Sequence, residues 1–416
     1  MHFLIWSGGN ESKALKIKMD GGKKRNICMI VYTNYSVDAR VQREAETLAA
    51  LPQYTVSVIT LKESTLAERR MIRGVIVQEM NLTKYQGRSA SRYLQSYLKF
   101  TLLAFLKCNR LLVGRSLDIV HVHNMPNFIV FSAIIPLLFG KKLILDIHDT
   151  VIETYLTKFK GFASGILYWI MRLEEFVCCA MVDRIICVNH LQRDALIKRG
   201  IPERKITISM NVPDPKWCSR RSKGDRKPQN GKTFDLVYHG TLAKRLGIDL
   251  TIEAVARLSG KIPGLQYHVI GSGDDTQGFM ELSRKLGVND KVHFVKSVPL
   301  DDLASRLDGM DLGVITNRAN IASDLMLPVK MLEYIALGIP VIAPRLRTIE
   351  YYFTDDMVGY FEPDDVDSLA TVIWESFTNE TLRLKRARNA KYFFNKYSWE
   401  QRKVDLINLY KSLLGN

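Results

Sequence analysis

Short β-branched runs alternate with helix-length segments along this chain, and the alternation starts twice, which restricts the fold to parallel sheets covered by helices. In the first half, "NICMIVY" and "YTVSVITL" read as strands flanking a helix from Val37 to Ala50. "DIVHVHN" and "KLILDIHD" flank an apolar helix after Pro126, and "DRIICVN", the helix of "HLQRDALIKRG" and "KITISMN" carry the series to Asn211. Residues 213–232, "PDPKWCSRRSKGDRKPQNGK", are rich in Pro, Gly and charge and read as a linker. The second series places strands at "FDLVYHG", "LQYHVIGSG", "KVHFV", "DLGVI" and "IPVIAP", with helices between them. The expected division is a basic tail over 1–25, a Rossmann-like domain over 26–212, the linker, and a second Rossmann-like domain over 233–391. The aromatic and leucine-rich stretch 392–416 is expected to be a helix crossing back to the first domain. Two doubly wound halves bind ligands in a crevice at the carboxyl ends of their strands.

A length of 416 residues suits two such domains. With 47% hydrophobic and 25% charged residues, neither a disordered nor a membrane-embedded class fits. The six cysteines form no C-x-x-C pair, which favours reduced structural thiols over a metal site. The start, "MHFLIWSGG", lacks the basic leader of a signal peptide, and the apolar stretches 94–113 and 162–182 are interrupted by charge, so neither export nor a transmembrane helix is expected. The net charge of +16 is unevenly spread. Residues 1–210 hold 30 Lys/Arg against 17 Asp/Glu, residues 211–232 hold 7 against 2, and the remainder 22 against 24. Such asymmetry points to a polyanionic partner, either a membrane surface or nucleic acid, and no nucleic-acid-binding motif accompanies it.

The stretch "SDLMLPVKMLEYIALGIPVIAP", Ser323 to Pro344, concentrates the chemistry. Pro328 suits the first turn of a helix that Gly338 ends, and Lys330, Glu333, Tyr334 and Leu337 share one face at i, i+3, i+4, i+7 spacing. A lysine beside free backbone N–H groups suits a phosphate, and a glutamate one turn on can accept from ribose hydroxyls. Spacing alone leaves an exposed salt-bridging pair equally open.

This stretch resembles the nucleotide-sugar motif of retaining family 4 glycosyltransferases, which have the GT-B fold of two facing Rossmann-like domains. Further similarity runs through "VYHGTLAKRLGIDLTIEAVARL", "ICVNHLQRDALIKRGIPERKITISMNVPD", "IVHVHNMPNF", "LILDIHDTVIE" and "YTNYSVDARVQREAETLA", over roughly residues 26–412. The resemblance implies that Glu333 binds the ribose, that Lys330 lies at the diphosphate, and that Arg245 places a cation on the leaving group. It also implies that His148 faces the donor sugar, that Gly240, Thr241 and Gly271 border the nucleotide, and that Asn211 sits at the hinge side of the cleft. Two positions depart from the family. The usual E-x7-E pair has Leu325, next to Asp324, in place of its first glutamate, and Thr241 stands where an arginine commonly follows the strand glycine. The N-terminal glycine-rich loop is replaced by "TNYSVDAR", so acceptor-side contacts are assigned to Asn34, Asp38, Arg40 and Glu153.

Other features carry blander readings. "GSGDD" lacks the third glycine of a dinucleotide fingerprint. "DVD" at Asp365–Asp367 reads as an acidic helix start, so no metal is expected. His121 and His123 are expected on opposite faces of their strand. In the helix from Arg92 to Arg110, Arg92, Ser96, Lys99, Lys107 and Arg110 fall within a stripe of about 80° and apolar residues cover most of the rest, as in helices that lie on anionic lipid or that pack on a sheet with a solvated basic edge. The resulting expectation is a retaining, metal-independent, hexosyltransferase-like enzyme without cofactor, cytoplasmic and peripheral at the inner face of the membrane. It would move a sugar from a nucleotide diphosphate sugar to a saccharide or lipid-linked acceptor. The alternative is a non-catalytic sugar-nucleotide-binding subunit of a membrane polysaccharide complex.

Overall fold

A computed structural model describes residues 24–63, 69–85, 87, 89–115, 117–158, 163–219 and 233–415. Most of the basic tail and of the linker lies outside these residues. The N-terminal sheet contains β1 (Arg25–Ile30), β2 (Tyr54–Leu61), β3 (Arg69–Ile72), β4 (Val75–Met80), β5 (Leu117–His123), β6 (Lys142–Ile147), β7 (Arg184–Cys187) and β8 (Ile206–Ile208) in the order β3-β4-β2-β1-β5-β6-β7-β8. All neighbours are parallel except β3 with β4. This hairpin is absent from the sequence reading, because its Arg-Gly turn is flanked by "RRMI", which alternates charge and apolarity too briefly to stand out.

The C-terminal sheet contains β9 (Phe234–Thr241), β10 (Leu265–Ser272), β11 (Val292–Val295), β12 (Leu312–Val314), β13 (Val341–Pro344) and β14 (Gly359–Phe361), all parallel, in the order β11-β10-β9-β12-β13-β14. The fold is therefore α/β, two Rossmann-like domains. In both sheets the order reverses beside the first strand, and that is where such folds open a crevice.

Helices cover both faces of the N-terminal sheet. On one face, α1 (Ala39–Ala49) packs Val41, Ala45 and Leu48 in a core shared with Ile27, Met29 and Val56. Leu406, Ile407, Tyr410 and Leu413 of the last helix, Trp399–Leu414, lie in this same core, so the chain's end packs on the N-terminal sheet. On the other face, α2 (Ala90–Arg115), a 3-10 segment (Asn127–Ala133) leading into α3 (Ile134–Leu138), and α5 (Ala163–Met181) contribute Phe100, Cys108, Ile129 and Cys178 to a second core. The short α4 (Val151–Lys158) packs on α5, and α6 (His190–Lys198) follows β7.

Candidate active site

A cleft of about 630 Å³ separates the two domains at the carboxyl ends of β1, β6 and β9. From the C-terminal side it is lined by His239, Gly240, Thr241, Arg245, Asn317, Lys330 and Glu333; from the N-terminal side by Asp38, Arg40, His148, Asp149, Gln192 and Asn211.

The helix Val329–Leu337 begins after Pro328 (φ −65°) and stops at Gly338, whose φ of +75° is the left-handed conformation that glycine adopts without cost. Met331, Leu332 and Ile335 bury its apolar face in the C-terminal core, which leaves Lys330 and Glu333 on the cleft. Glu333 Oε2 lies 2.7 Å from His239 Nε2. The Glu333 carboxylate can only accept, so His239 Nε2–H donates to it, while the Tyr334 hydroxyl accepts from the His239 backbone N–H at 3.0 Å and lies 2.9 Å from Nδ1. Burial alone would push the Glu333 carboxyl up, but the hydrogen bond and charge of His239, with Arg43 and Lys330 nearby, hold it below the usual range.

The Lys330 amine stands 3.7 Å over the ring of Tyr238. Burial lowers its pKa to about 7; Glu333 pulls upward, and Arg245 again downward. Gly240 (φ +116°) adjoins this amine: a Cβ there would sit 3.3 Å from Lys330 Nζ and push it aside by a few tenths of an ångström.

Gly271 serves the scaffold. It pairs with Gly240 in the sheet, and a Cβ on it would fall 1.9 Å from the Gly240 carbonyl oxygen. Asp324 also lies off the cleft lining, accepting from the Arg347 N–H at 3.4 Å, while Leu325 lines the cleft and its carbonyl accepts from Asn189 Nδ2 across the domains at 2.8 Å.

On the N-terminal side, Asp38 caps α1 through the Val41 N–H at 3.1 Å. Arg40 donates through Nε and Nη2 to both oxygens of Asp146, at 2.8 and 2.9 Å, and through Nη1 to the Ser209 carbonyl at 2.7 Å. His148 Nε2 lies 3.0 Å from Asp146 Oδ2 and 3.1 Å from His123 Nδ1. Burial would lower the His148 pKa, but Asp146 raises it above the ordinary histidine value. Asn34 and Glu153 do not line the cleft: the former donates to the Lys62 carbonyl at 3.3 Å, and the latter pairs with Arg199.

The expectation for the two strand histidines is corrected. His121 and His123 are both fully buried with rings 4.2 Å apart, on one face, as residues two apart on a strand must be. His121 Nδ1 meets the Tyr410 hydroxyl at 2.7 Å, tying the last helix to β5. With Glu44 and Asp146 they form a buried group whose ligand atoms all lie within 4.8 Å of one another, but the positive charge beside those carboxylates is supplied by Arg40. Asp365 of "DVD" caps the helix Val366–Thr378 by accepting from the Asp367 and Ser368 N–H groups at 2.8 and 3.0 Å.

The cleft residues absent from the sequence reading include His239, Asn317 and Gln192. His239 precedes the strand-end glycine of "YHG", Asn317 follows β12 in "ITN", and Gln192 sits one turn into α6. His239 and Asn317 stand at or just past the carboxyl ends of strands and Gln192 in the first turn of the helix that follows β7, a signal available from topology alone.

Two facing Rossmann-like domains with a cation-bearing cleft between them define a protein of GT-B fold. Residues 37–215 match the model of Glycosyltransferase Family 4 and residues 219–393 that of Glycosyl transferases group 1. The chain belongs to the family 4 glycosyltransferases. It is 27% identical over 222 residues to the lipopolysaccharide glucosyltransferase WaaG of Escherichia coli, covering 52% of this chain and 56% of that protein. Against the D-inositol 3-phosphate glycosyltransferase of Corynebacterium urealyticum the identity is 26% over 233 residues, covering 54% and 52%. The chain thus spans about half the length of the curated relatives it matches. Among solved structures, sucrose-phosphate synthase of Thermosynechococcus elongatus superposes with a TM-score of 0.75 at 15% identity, covering 94% of this chain and 100% of the other. Anabaena Alr3699/HepE in complex with UDP-glucose gives 0.67 at 15%, covering 93% and 99%.

Proposed function

We propose that the protein is a retaining hexosyltransferase that moves a sugar from a nucleoside diphosphate sugar to a hydroxyl of a saccharide or lipid-linked acceptor. It would act in polysaccharide or glycoconjugate synthesis, in the cytoplasm at the inner face of the membrane. The observation that carries this reading is the meeting of Lys330, Arg245 and the His239-held Glu333 around the first turn of one helix, facing His148 across the cleft. Lys330 and Arg245 suit a diphosphate and Glu333 a ribose. In this reading the acceptor oxygen attacks the anomeric carbon on the face from which the diphosphate departs. The C–O bond to the diphosphate breaks with its electron pair, and a phosphate oxygen takes the acceptor proton. The two cations meet the charge that develops on the leaving group, so no metal cofactor is required, and turnover should survive saturating EDTA unchanged.

Thermal stabilisation by UDP, GDP and ADP identifies the base, since a ligand that binds only the folded state raises its stability. Release of nucleoside diphosphate in the presence of a saccharide acceptor, with the product anomer read by NMR, then tests the transfer itself. An inverted anomer would remove retention, and nucleotide binding without release under any acceptor would favour a non-catalytic binding subunit.

Glu333→Ala is expected to weaken donor affinity by roughly ten- to a hundredfold, the worth of hydrogen bonds to a charged acceptor, with a much smaller change in turnover at saturating donor. Calorimetric titration of the nucleotide checks this; an unchanged Kd would remove the ribose role.

A further inference from the structure

We infer that the outer face of α2, α3 and α5 docks on an anionic lipid bilayer. Helix α2 has two apolar sides. At 100° per residue, Tyr97, Phe100, Ala104 and Cys108 fall within about 80° and pack toward the sheet. Leu94, Leu98, Leu102 and Leu106 occupy a different sector about 120° wide, and all four are exposed, Leu102 by 60%. Between the two sectors run Arg92, Lys99 and Arg110, also exposed. A helix whose task ended with covering its sheet would need only the first apolar side.

The neighbours extend the second side. The 3-10 segment before α3 contacts both α2 and α5, so the three elements form one layer on the same face of the sheet. In that layer α3 exposes Leu138 and is followed by exposed Phe139, while α5 exposes Trp169 by 70%, with Ile170, Leu173 and Phe176. Among the described residues, 14 of the 22 exposed large apolar side chains lie between residues 94 and 176. An apolar surface of this extent needs an occupant.

Charge selects it. Helix α2 carries five Lys/Arg and no Asp/Glu, within a half-chain of 30 Lys/Arg against 17 Asp/Glu. A second copy seated symmetrically on this face would bring the same cations together, whereas anionic headgroups neutralise them while the acyl boundary takes the leucines and Trp169. Among the described residues no helix is long and apolar enough to cross a membrane, so the face lies on the bilayer. The position also serves the cleft. Helix α4 starts directly after the cleft residues Asp149 and Thr150 and packs Ile152 and Tyr155 against Met171 and Leu167 on the inner side of α5. A docked bilayer therefore stands one helix layer from the site; that it presents the acceptor there rests on the glycosyl-transfer reading, and the docking itself does not.

The test is sedimentation of the full chain with vesicles of phosphatidylcholine alone or mixed with phosphatidylglycerol. Binding is expected to the mixed vesicles and to weaken as salt rises. The exposed double change L102E/W169E should reduce it at least about tenfold, while the melting-temperature shift caused by the stabilising nucleotide stays at its wild-type value. Equal sedimentation of variant and wild type, equal binding to both vesicle types, no binding at all, or a solution dimer that the double change dissociates would each overturn the docking. Loss of vesicle binding with an intact nucleotide response in the wild type would leave the transferase reading standing. Vesicle binding without any nucleotide response would do the reverse.

Discussion

Lys330→Ala should slow turnover by on the order of a hundredfold or more, the cost of removing one positioned donor from a charge that develops in the transition state. Arg245→Ala should act in the same direction. The two cations differ in one respect that pH exposes. A guanidinium is protonated at any working pH, whereas the Lys330 amine, buried over the Tyr238 ring, has its pKa lowered to about 7. A bound diphosphate favours the ammonium and raises that pKa, so binding takes up a proton between pH 7 and the raised value. Nucleoside diphosphate affinity is then greatest below pH 7 and falls as pH rises, by up to about tenfold per unit. Glu333, held low by His239, is ionised throughout this window. His148, its pKa raised by Asp146, stands across the cleft and adds a slope of its own. The comparison that separates them is Lys330→Ala, in which the pH dependence of the nucleotide Kd should largely vanish. A wild-type Kd that is flat from pH 6 to 9, or near-normal turnover in both the Lys330 and Arg245 variants, would sink this assignment.

What the sequence made legible follows from which interactions are local. The helix around Lys330 could be placed because Pro328 and Gly338 mark its ends by their own backbone preferences, and the strands around it because buried parallel strands read as apolar runs. The β3–β4 hairpin and the three-residue β14 were missed because such short segments owe their conformation to neighbours distant in sequence. The site divides in the same way. Lys330 and Glu333 share a face by helical spacing alone. The His239–Glu333 pair joins residues 94 apart, and no periodicity announces it. Asn34 and Glu153 belong to segments that approach the cleft, but a segment's position does not settle where its side chains find partners, and both find them elsewhere. The two strand histidines were misplaced for a simpler reason. A period of two returns to the same face, so "HVH" encodes a buried pair, and the question it poses is what satisfies them.

The charged group beside that pair, whose Asp146 Oδ2 lies 3.2 Å from His123 Nδ1, carries the largest expected loss of stability. Arg40, 4% exposed, grips fully buried Asp146 through two parallel hydrogen bonds, with the Ser209 carbonyl on its remaining amino group and Glu44 Oε1 at 3.4 Å. Asp146 in turn holds His148 at 3.0 Å. Burial would raise the Asp146 pKa, but Arg40 and His148 bring it well below the usual carboxylate range. Asp146→Ala strands a guanidinium out of water and should cost about 3–5 kcal/mol, read as a lowered midpoint in urea unfolding at constant slope. Replacing both members, Arg40→Met with Asp146→Leu, removes the stranded guanidinium and, with the buried Glu44 carboxyl pushed further up to take a proton, should recover part of that loss. It should not recover turnover, because His148 has lost the carboxylate that holds it at the cleft. The pH profile has a definite sign. The depressed Asp146 pKa gives stability that is present above its unfolded value and lost as pH falls through the folded one. The raised His148 pKa gives stability that is full below its unfolded value and lost as pH rises through the folded one. Both contributions disappear in the double variant, whose stability should change less with pH on either side of neutrality. A single Asp146→Ala variant as stable as wild type would show that Arg40 is not held by this pair, and a double variant with wild-type turnover would remove His148 from the reaction.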